Sequence, residues 1–382
     1  MTADRFAGMR TAAEPHIGPT AVPGLVALAG RGDDVSVTAL GRLAVDGAPV
    51  GRDSIFRISS TSKPLTAAAT LALAAEGLFA LDEPVDRLLP ELADRRVLRH
   101  LDSPLDDTVP AVRPILVRDL LTFTNGFGMV GEMFAATDTW PVVRAADELR
   151  LATLGPPHPE TKPDPDTWIA NLGTLPLMAQ PGERWMYNTG AAILSVLLAR
   201  AAGTTYGEVL RSRLFEPLGM RDTDFWTPHT DRLATAYRPG PDGLAVLDAP
   251  DGMWSRQPAF EDGADGLVST VDDLHAFARM LLRGGAPVLT ADAVRAMTTD
   301  QLTPEQKARG GLGADFFAEQ SWGYGGGVLD TGAYGWAGGL GTTWMIDPAH
   351  DLAVVVLTQR EFESPSLPGV HHDVQAAVYA AL

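Results

Sequence analysis

The chain has no cysteine, which excludes disulfide frameworks, thiolate metal sites and cysteine nucleophiles at once. Long apolar runs are missing too. The segment 21–30 is short and broken by Pro23 and Gly24, and nothing else approaches the length of a membrane span. Residues 1–20 carry Asp4, Glu14 and two arginines with no continuous apolar stretch, so they do not read as a secretory signal, and a cytoplasmic protein is expected. Positive charge is scarce: 30 Lys and Arg stand against 48 Asp and Glu, a formal net charge of −18. Nucleic-acid binding rests on neutralising phosphates with Lys and Arg, so no such partner is expected, and the acidic excess reads as a solvated, self-repelling surface. Metal-binding spacing is also lacking. The eight histidines are scattered with no His-Glu-x-x-His helix, and the adjacent pair His371-His372 reads as surface in a polar tail. Neither a metal nor another cofactor is expected.

What is present is ample apolar content. At 382 residues and 45% hydrophobic, the chain can bury a sizeable core as one large domain or two smaller ones. Short β-type runs at 24–29, 35–40 and 55–58, separated by turn signals at 30–34 and Asp46-Gly47, suggest an antiparallel meander. Helical periodicity follows at 65–76, 117–121, 191–202 and 271–282. Between these lie Pro- and Gly-rich stretches, 154–166 and 239–252, of the kind that wall a substrate cleft or connect elements. Strand patterns return at 334–336, 342–346 and 352–358, with Asp347-Pro348 as a turn and a final amphipathic helix at 374–382. The economical architecture is α+β: one antiparallel sheet flanked by terminal helices, with a mainly helical domain inserted. On that reading residues 1–64 and 300–382 form an α/β domain from both chain ends, and 65–299 form the insertion.

Three segments carry chemistry. Ser60 and Lys63 stand just ahead of the Ala- and Leu-rich run, where a starting helix puts hydroxyl and amine on one face and Pro64 fits the first turn. An unaided serine is a poor nucleophile, and a partly desolvated lysine can be its base without any histidine. The bland alternative is a chance Ser-x-x-Lys. Tyr187 lies in a turn within 181–190, ahead of the next helix. Its phenol, ordinarily with a pKa near ~10, becomes a usable base if an ammonium such as that of Lys63 favours phenolate; otherwise Tyr187 packs a helix entry. The glycines of Gly335-Trp336-Ala337-Gly338-Gly339-Leu340-Gly341 let a strand edge approach a ligand, and a bare N–H there can complete an oxyanion hole; the alternative is a flexible hairpin.

In this order the three segments resemble the serine β-lactamase and penicillin-binding-protein superfamily, specifically class C β-lactamases and family VIII esterases. The resemblance spans roughly 22–358. Supporting pieces are Leu120-Leu121-Thr122-Phe123-Thr124-Asn125-Gly126, Leu214-Phe215-Glu216-Pro217-Leu218-Gly219-Met220 and Asp265-Gly266-Leu267-Val268-Ser269-Thr270. The resemblance implies a β-lactamase/transpeptidase-like fold, Ser60 as the acylated nucleophile, Lys63 as its proton-accepting or electrostatic partner, and Tyr187 as the proton-exchanging tyrosine. It further implies an oxyanion hole from the backbone N–H groups of Ser60 and Gly339, with Trp336-Ala337-Gly338 at the family's Lys-Thr-Gly position. Two departures matter. Thr189 stands where β-lactamases have the Asn of Tyr-x-Asn, although Asn188 is adjacent, and Trp336 replaces a lysine suited to a substrate carboxylate.

Both departures favour ester chemistry over β-lactam chemistry. The expected activity is hydrolysis of a small-molecule ester through an acyl-enzyme on Ser60, with Trp336, Gly338, Asn188, Phe127 and Met129 as substrate-binding candidates. Competing expectations are acyl transfer to a small-molecule acceptor, β-lactamase or D-alanyl peptidase activity, and a catalytically silent ligand-binding protein.

Overall fold

The computed structural model describes residues 5–382, so residues 1–4 of the N-terminal stretch lie outside the described residues. Seven strands form one antiparallel sheet: β1 Gly24–Arg31, β2 Asp34–Gly41, β3 Gln320–Trp322, β4 Gly327–Leu329, β5 Tyr334–Gly338, β6 Thr342–Asp347 and β7 Leu352–Thr358, in the order β2-β1-β7-β6-β5-β4-β3. The first and last of them therefore pair side by side, one strand in from the β2 edge, with Leu25 opposite Thr358 and Arg31 opposite Leu352. A strand alternates its faces, and both faces of these two are covered, so both read as continuous apolar runs. Leu25, Ala27, Ala29, Leu352, Val354 and Val356 pack with Phe6, Met9, Val370, Val374 and Val378 of the terminal segments. Val26, Leu28, Val355 and Leu357 face the main core instead.

The terminal helices α1 Gly8–Ala13 and α5 Gly369–Tyr379 lie together on the outer face. On the inner face, α4 Val271–Leu282 packs on β1, β6 and β7, although it belongs to the middle of the chain. Trp344 in β6 donates its indole N–H to Leu274 O at 3.1 Å and fixes that contact. The Ala- and Leu-rich helices α2 Lys63–Ala75 and α3 Thr189–Ala202 pack against each other and are buried along most of their length.

Several expectations are corrected. The run at 55–58 does not join a meander: Phe56–Arg57 pairs with Val268–Ser269 in a separate two-stranded ribbon. The hairpin of β1 and β2 finds its third neighbour in β7, whose residues are all buried. Stretch 239–252 is not an irregular connector, since Ala236–Gly240 and Gly243–Asp248 form a hairpin pinned by a buried ion pair between Asp248 and Arg57. The short strands β3 and β4 at the sheet edge carry too little apolar pattern to be read from sequence. The last helix starts earlier than expected and turns His371 inward, 1% exposed, where its Nδ1 meets the Thr343 hydroxyl at 2.9 Å. His371 is therefore core, and only His372 is exposed. Among the described residues no helix is long and apolar enough to cross a membrane.

Candidate active site

A 3₁₀ turn, Ser59–Ser62, runs directly into α2, with Pro64 in the first helical turn. Ser59 takes a left-handed φ of 47°, turning the chain sharply just before Ser60, which opens onto a cleft of 660 Å³. Ile58 N donates to Leu267 O at 2.9 Å and the Ser62 hydroxyl to Ser59 O at 2.6 Å, so this turn is held from two sides. One face of the helix brings the two candidates together: Lys63 Nζ lies 2.8 Å from Ser60 Oγ. Its second partner is Ala264 O at 2.6 Å. Burial lowers the Lys63 pKa to about 7, against the raising pull of Asp265 and Asp262 and with a further lowering from Lys162. Near neutral pH a substantial fraction of this amine is therefore free to take a proton.

Tyr187 is fixed by a two-way backbone bridge, Met129 N to Tyr187 O at 2.9 Å and Tyr187 N to Met129 O at 2.8 Å. Its ring sits among Phe123, Trp185, Trp322 and Trp336. The hydroxyl is hydrogen-bonded to Ser60 and receives the indole N–H of Trp336 at 2.7 Å. Burial pushes the phenol well above its ordinary pKa, and those two hydrogen bonds oppose it only in part. The expected phenolate supported by the Lys63 ammonium is thus corrected. Lys63 Nζ lies over the face of the Tyr187 ring, 4.7 Å from its centre, rather than against the oxygen. Burial thus acts in opposite senses on the two groups, favouring the protonated phenol of Tyr187 and the neutral amine of Lys63.

Gly339 lines the cleft, its carbonyl accepts Phe362 N–H at 2.7 Å, and no atom lies within 4 Å of where a Cβ would stand. Trp336 and Met129 also line the cleft. Three other candidates serve differently. Phe127 is 1% exposed and packs in the core, so its placement on the cleft is corrected; the bridge to Tyr187 two residues later brings Met129 to the cleft instead. Gly338 does not line the cleft: a Cβ there would stand 2.2 Å from Ile58 O, so its bareness lets β5 press against the nucleophile turn. Asn188 borders the cleft, but its side-chain amide donates to Thr153 O at 3.1 Å and ties down the wall at 153–157. Thr189 accepts the Thr153 hydroxyl at 3.0 Å, so neither residue reproduces a free amide beside the lysine.

The remaining walls come from Phe134, Leu312, Phe316, Leu340 and Phe362, with Gly155 to Pro157 from the expected Pro-rich wall. Among the described residues lining the cleft, Asp265, Glu361 and Glu363 are acidic and none is basic. Sequence reasoning missed Asp265, Asp262 and Lys162. A signal existed: the chain has three lysines, and one of them lies inside a Pro-rich wall segment.

The profile of the Beta-lactamase family matches residues 9–378. Lovastatin esterase of Penicillium rubens is 31% identical over 339 residues, covering 80% of this chain and 80% of that protein. Esterase EstB of Burkholderia gladioli is 29% identical over 365 residues, covering 87% and 84%. The solved structure of EstCE1, titled a hydrolase with promiscuous acyltransferase activity, matches with a TM-score of 0.78 at 24% identity, covering 99% of this chain and 98% of that one. A seven-stranded sheet built from both chain ends, a cleft-facing Ser60 hydrogen-bonded to a buried Lys63 and a profile match over nearly every residue agree: the chain belongs to the Beta-lactamase family and has its fold.

Proposed function

We propose that the protein is a serine esterase acting on neutral, carboxylate-free esters through an acyl-enzyme on Ser60. The observation that carries this reading is Ser60 Oγ at 2.8 Å from a buried Lys63 amine, facing a cleft with three acidic side chains and no basic one. Relatives named as esterases support it. Neutral Lys63 takes the Ser60 proton as Oγ bonds to the ester carbonyl carbon, and the carbonyl electron pair moves onto oxygen. That oxyanion forms against the N–H groups of Ser60 and Gly339. When the pair returns, the ester C–O bond breaks and the alkoxide leaves with the Tyr187 proton, which Lys63 then replaces. Water then bonds to the acyl carbon and gives its proton to Lys63, which passes it to Ser60 Oγ as the acyl C–O bond breaks and the acid leaves. An alcohol entering in place of water gives a new ester by the same steps.

Trp336 and the acidic rim disfavour a carboxylate-bearing substrate, because no cation is present to offset its desolvation. The test is a panel on wild type and Ser60→Ala: a short-chain p-nitrophenyl ester with and without added alcohol, a half-ester carrying a free carboxylate, and a chromogenic cephalosporin. Turnover of the neutral ester is expected to fall at least 10³-fold in Ser60→Ala, in line with loss of a nucleophile. Fast cephalosporin hydrolysis with slow ester turnover would instead make the protein a β-lactamase, and no turnover plus no fluorophosphonate adduct would make it a silent binder.

A further inference from the structure

Lys63 and Lys162, two of the three lysines in the chain, lie in one buried polar knot beneath the nucleophile. The knot is organised by the loop Phe260-Glu261-Asp262-Gly263-Ala264-Asp265. Its Ala264 carbonyl holds Lys63 Nζ at 2.6 Å, and its Ala264 N–H donates to Asp262 Oδ1 at 2.9 Å. The other Asp262 oxygen is paired with the Lys162 ammonium, and the side chains of this pair are 4% and 1% exposed. Lys162 Nζ also sits over the Phe260 ring, 5.5 Å from its centre. Asp265, 4% exposed, borders the same cleft as Ser60 and interacts with Asp262, Lys162 and Lys63. Two further titratable groups face the knot. The Tyr187 ring stands against Lys63 from the far side, and Tyr206, which donates to Thr66 at 2.8 Å, feels Asp262 and Glu261.

Such a cluster has only two cations and two carboxylates to balance one another, in a place where water screens little. Burial works against the Lys162 ammonium, but Asp262 and Asp265 outweigh it, so Lys162 stays charged. Burial and Asp262 push Asp265 up to about 7, with Lys162 and Lys63 opposing. Asp265 favours the charged form of Lys63 and Lys63 that of Asp265, so each influences how tightly the other holds its proton. A plain tether is the competing explanation. It would join segment 154–166 to the loop through Lys162 and Asp262 without touching the chemistry.

We propose that Asp265 and the Lys162–Asp262 pair are positioning residues that set the pH at which Lys63 sheds its proton and Ser60 becomes nucleophilic. The inference rests on Ser60 and Lys63 being the reacting pair. Its signature is a pair of shifts with opposite sign. The Asp265 carboxylate favours the Lys63 ammonium, so Asp265→Asn moves the onset of reactivity to lower pH. The Lys162 ammonium disfavours it, so Lys162→Met moves the onset to higher pH. A tether alone lowers stability in both variants and moves the onset in neither.

The measurement is the rate of Ser60 labelling by an alkyl fluorophosphonate against pH, which needs no natural substrate. Ser60 Oγ bonds to phosphorus, fluoride leaves, and the serine proton goes to Lys63. Wild-type labelling is expected to rise with pH around a midpoint near 7. Asp265→Asn should lower that midpoint by roughly 0.5 to 1 unit and Lys162→Met should raise it comparably, while Lys162→Arg stays near wild type. Asp265→Asn is nearly isosteric and decides the matter alone if Lys162→Met does not fold: an unchanged or raised midpoint overturns the proposal. Absence of any wild-type adduct, or equal labelling of Ser60→Ala, overturns the Ser60-Lys63 reading itself and is distinguishable from a midpoint that fails to move.

Discussion

Trp336 does two things at one position. Its ring walls the cleft, and its indole N–H donates to the Tyr187 hydroxyl at 2.7 Å, where the family pattern puts a lysine. A neutral donor supports developing negative charge on Tyr187 Oη without offering an ammonium to a substrate carboxylate. Trp336→Phe keeps the wall and removes the donor. It is expected to lower kcat by about 1 to 2 kcal/mol, roughly 5- to 30-fold, with KM for a p-nitrophenyl ester changed little. If KM rises and kcat holds, the indole N–H is a packing detail and the wall is its whole contribution. The approach of Lys63 to Ser60 is made within one turn, which is why the two could be picked from spacing. Tyr187 could be picked too, but its protonation could not, because burial and the approach of Lys63 to the ring face both come from other segments.

Among the elements, β5 and the nucleophile turn meet at a single bare position. Ile58 O accepts the Thr342 hydroxyl at 2.9 Å, and a Cβ on Gly338 would intrude to 2.2 Å from that same carbonyl. Gly338→Ala therefore has to push β5, and with it Gly339, away from Ser60. Misplacement of this size typically costs about 10²-fold, as does loss of one oxyanion donor. A fall of that order in kcat/KM in a variant that still folds, with a lowered thermal transition because backbone has to give way, is the expected result. Activity within twofold of wild type would remove Gly339 N–H from the oxyanion hole. The role of Gly338 as spacer rather than cleft residue was invisible in sequence, since a glycine beside a ligand and a glycine beside a carbonyl read alike.

Across the whole molecule, buried histidines couple the fold to pH. Burial lowers His371 to about 3 and His275 to about 4, both below the ordinary 6.5. The unfolded chain takes up protons on both below about 6.5 while the folded chain does not, so their contribution is present above that pH and lost as pH falls. Each group costs about 1.4 kcal/mol per pH unit over its window, so urea midpoints are expected to drop steeply from pH 6.5 to pH 5. His371→Phe should flatten that slope. An equally steep loss in the variant would place the titration at a group other than His371. We propose the two-part organisation of the chain, 1–64 with 300–382 and the helical 65–299, as a working division, with α4 lying across it on the sheet.

Local patterns are enough to determine the long apolar strands β1, β6 and β7, the helix that starts at Lys63, the order of the three chemical segments and, through them, the family. Each depends on spacing within one stretch, where period and turn chemistry act directly. Tertiary structure alone decided that the strand at Phe56–Arg57 leaves the sheet, that Phe127 and His371 turn into the core, that burial favours the protonated phenol of Tyr187, and that Lys162 from a Pro-rich wall reaches Asp262 under the nucleophile. The physical reason is common to all four. Burial and charge pairing arise between segments separated by tens to hundreds of residues, and their energies have no counterpart in the neighbourhood of any one residue in the sequence.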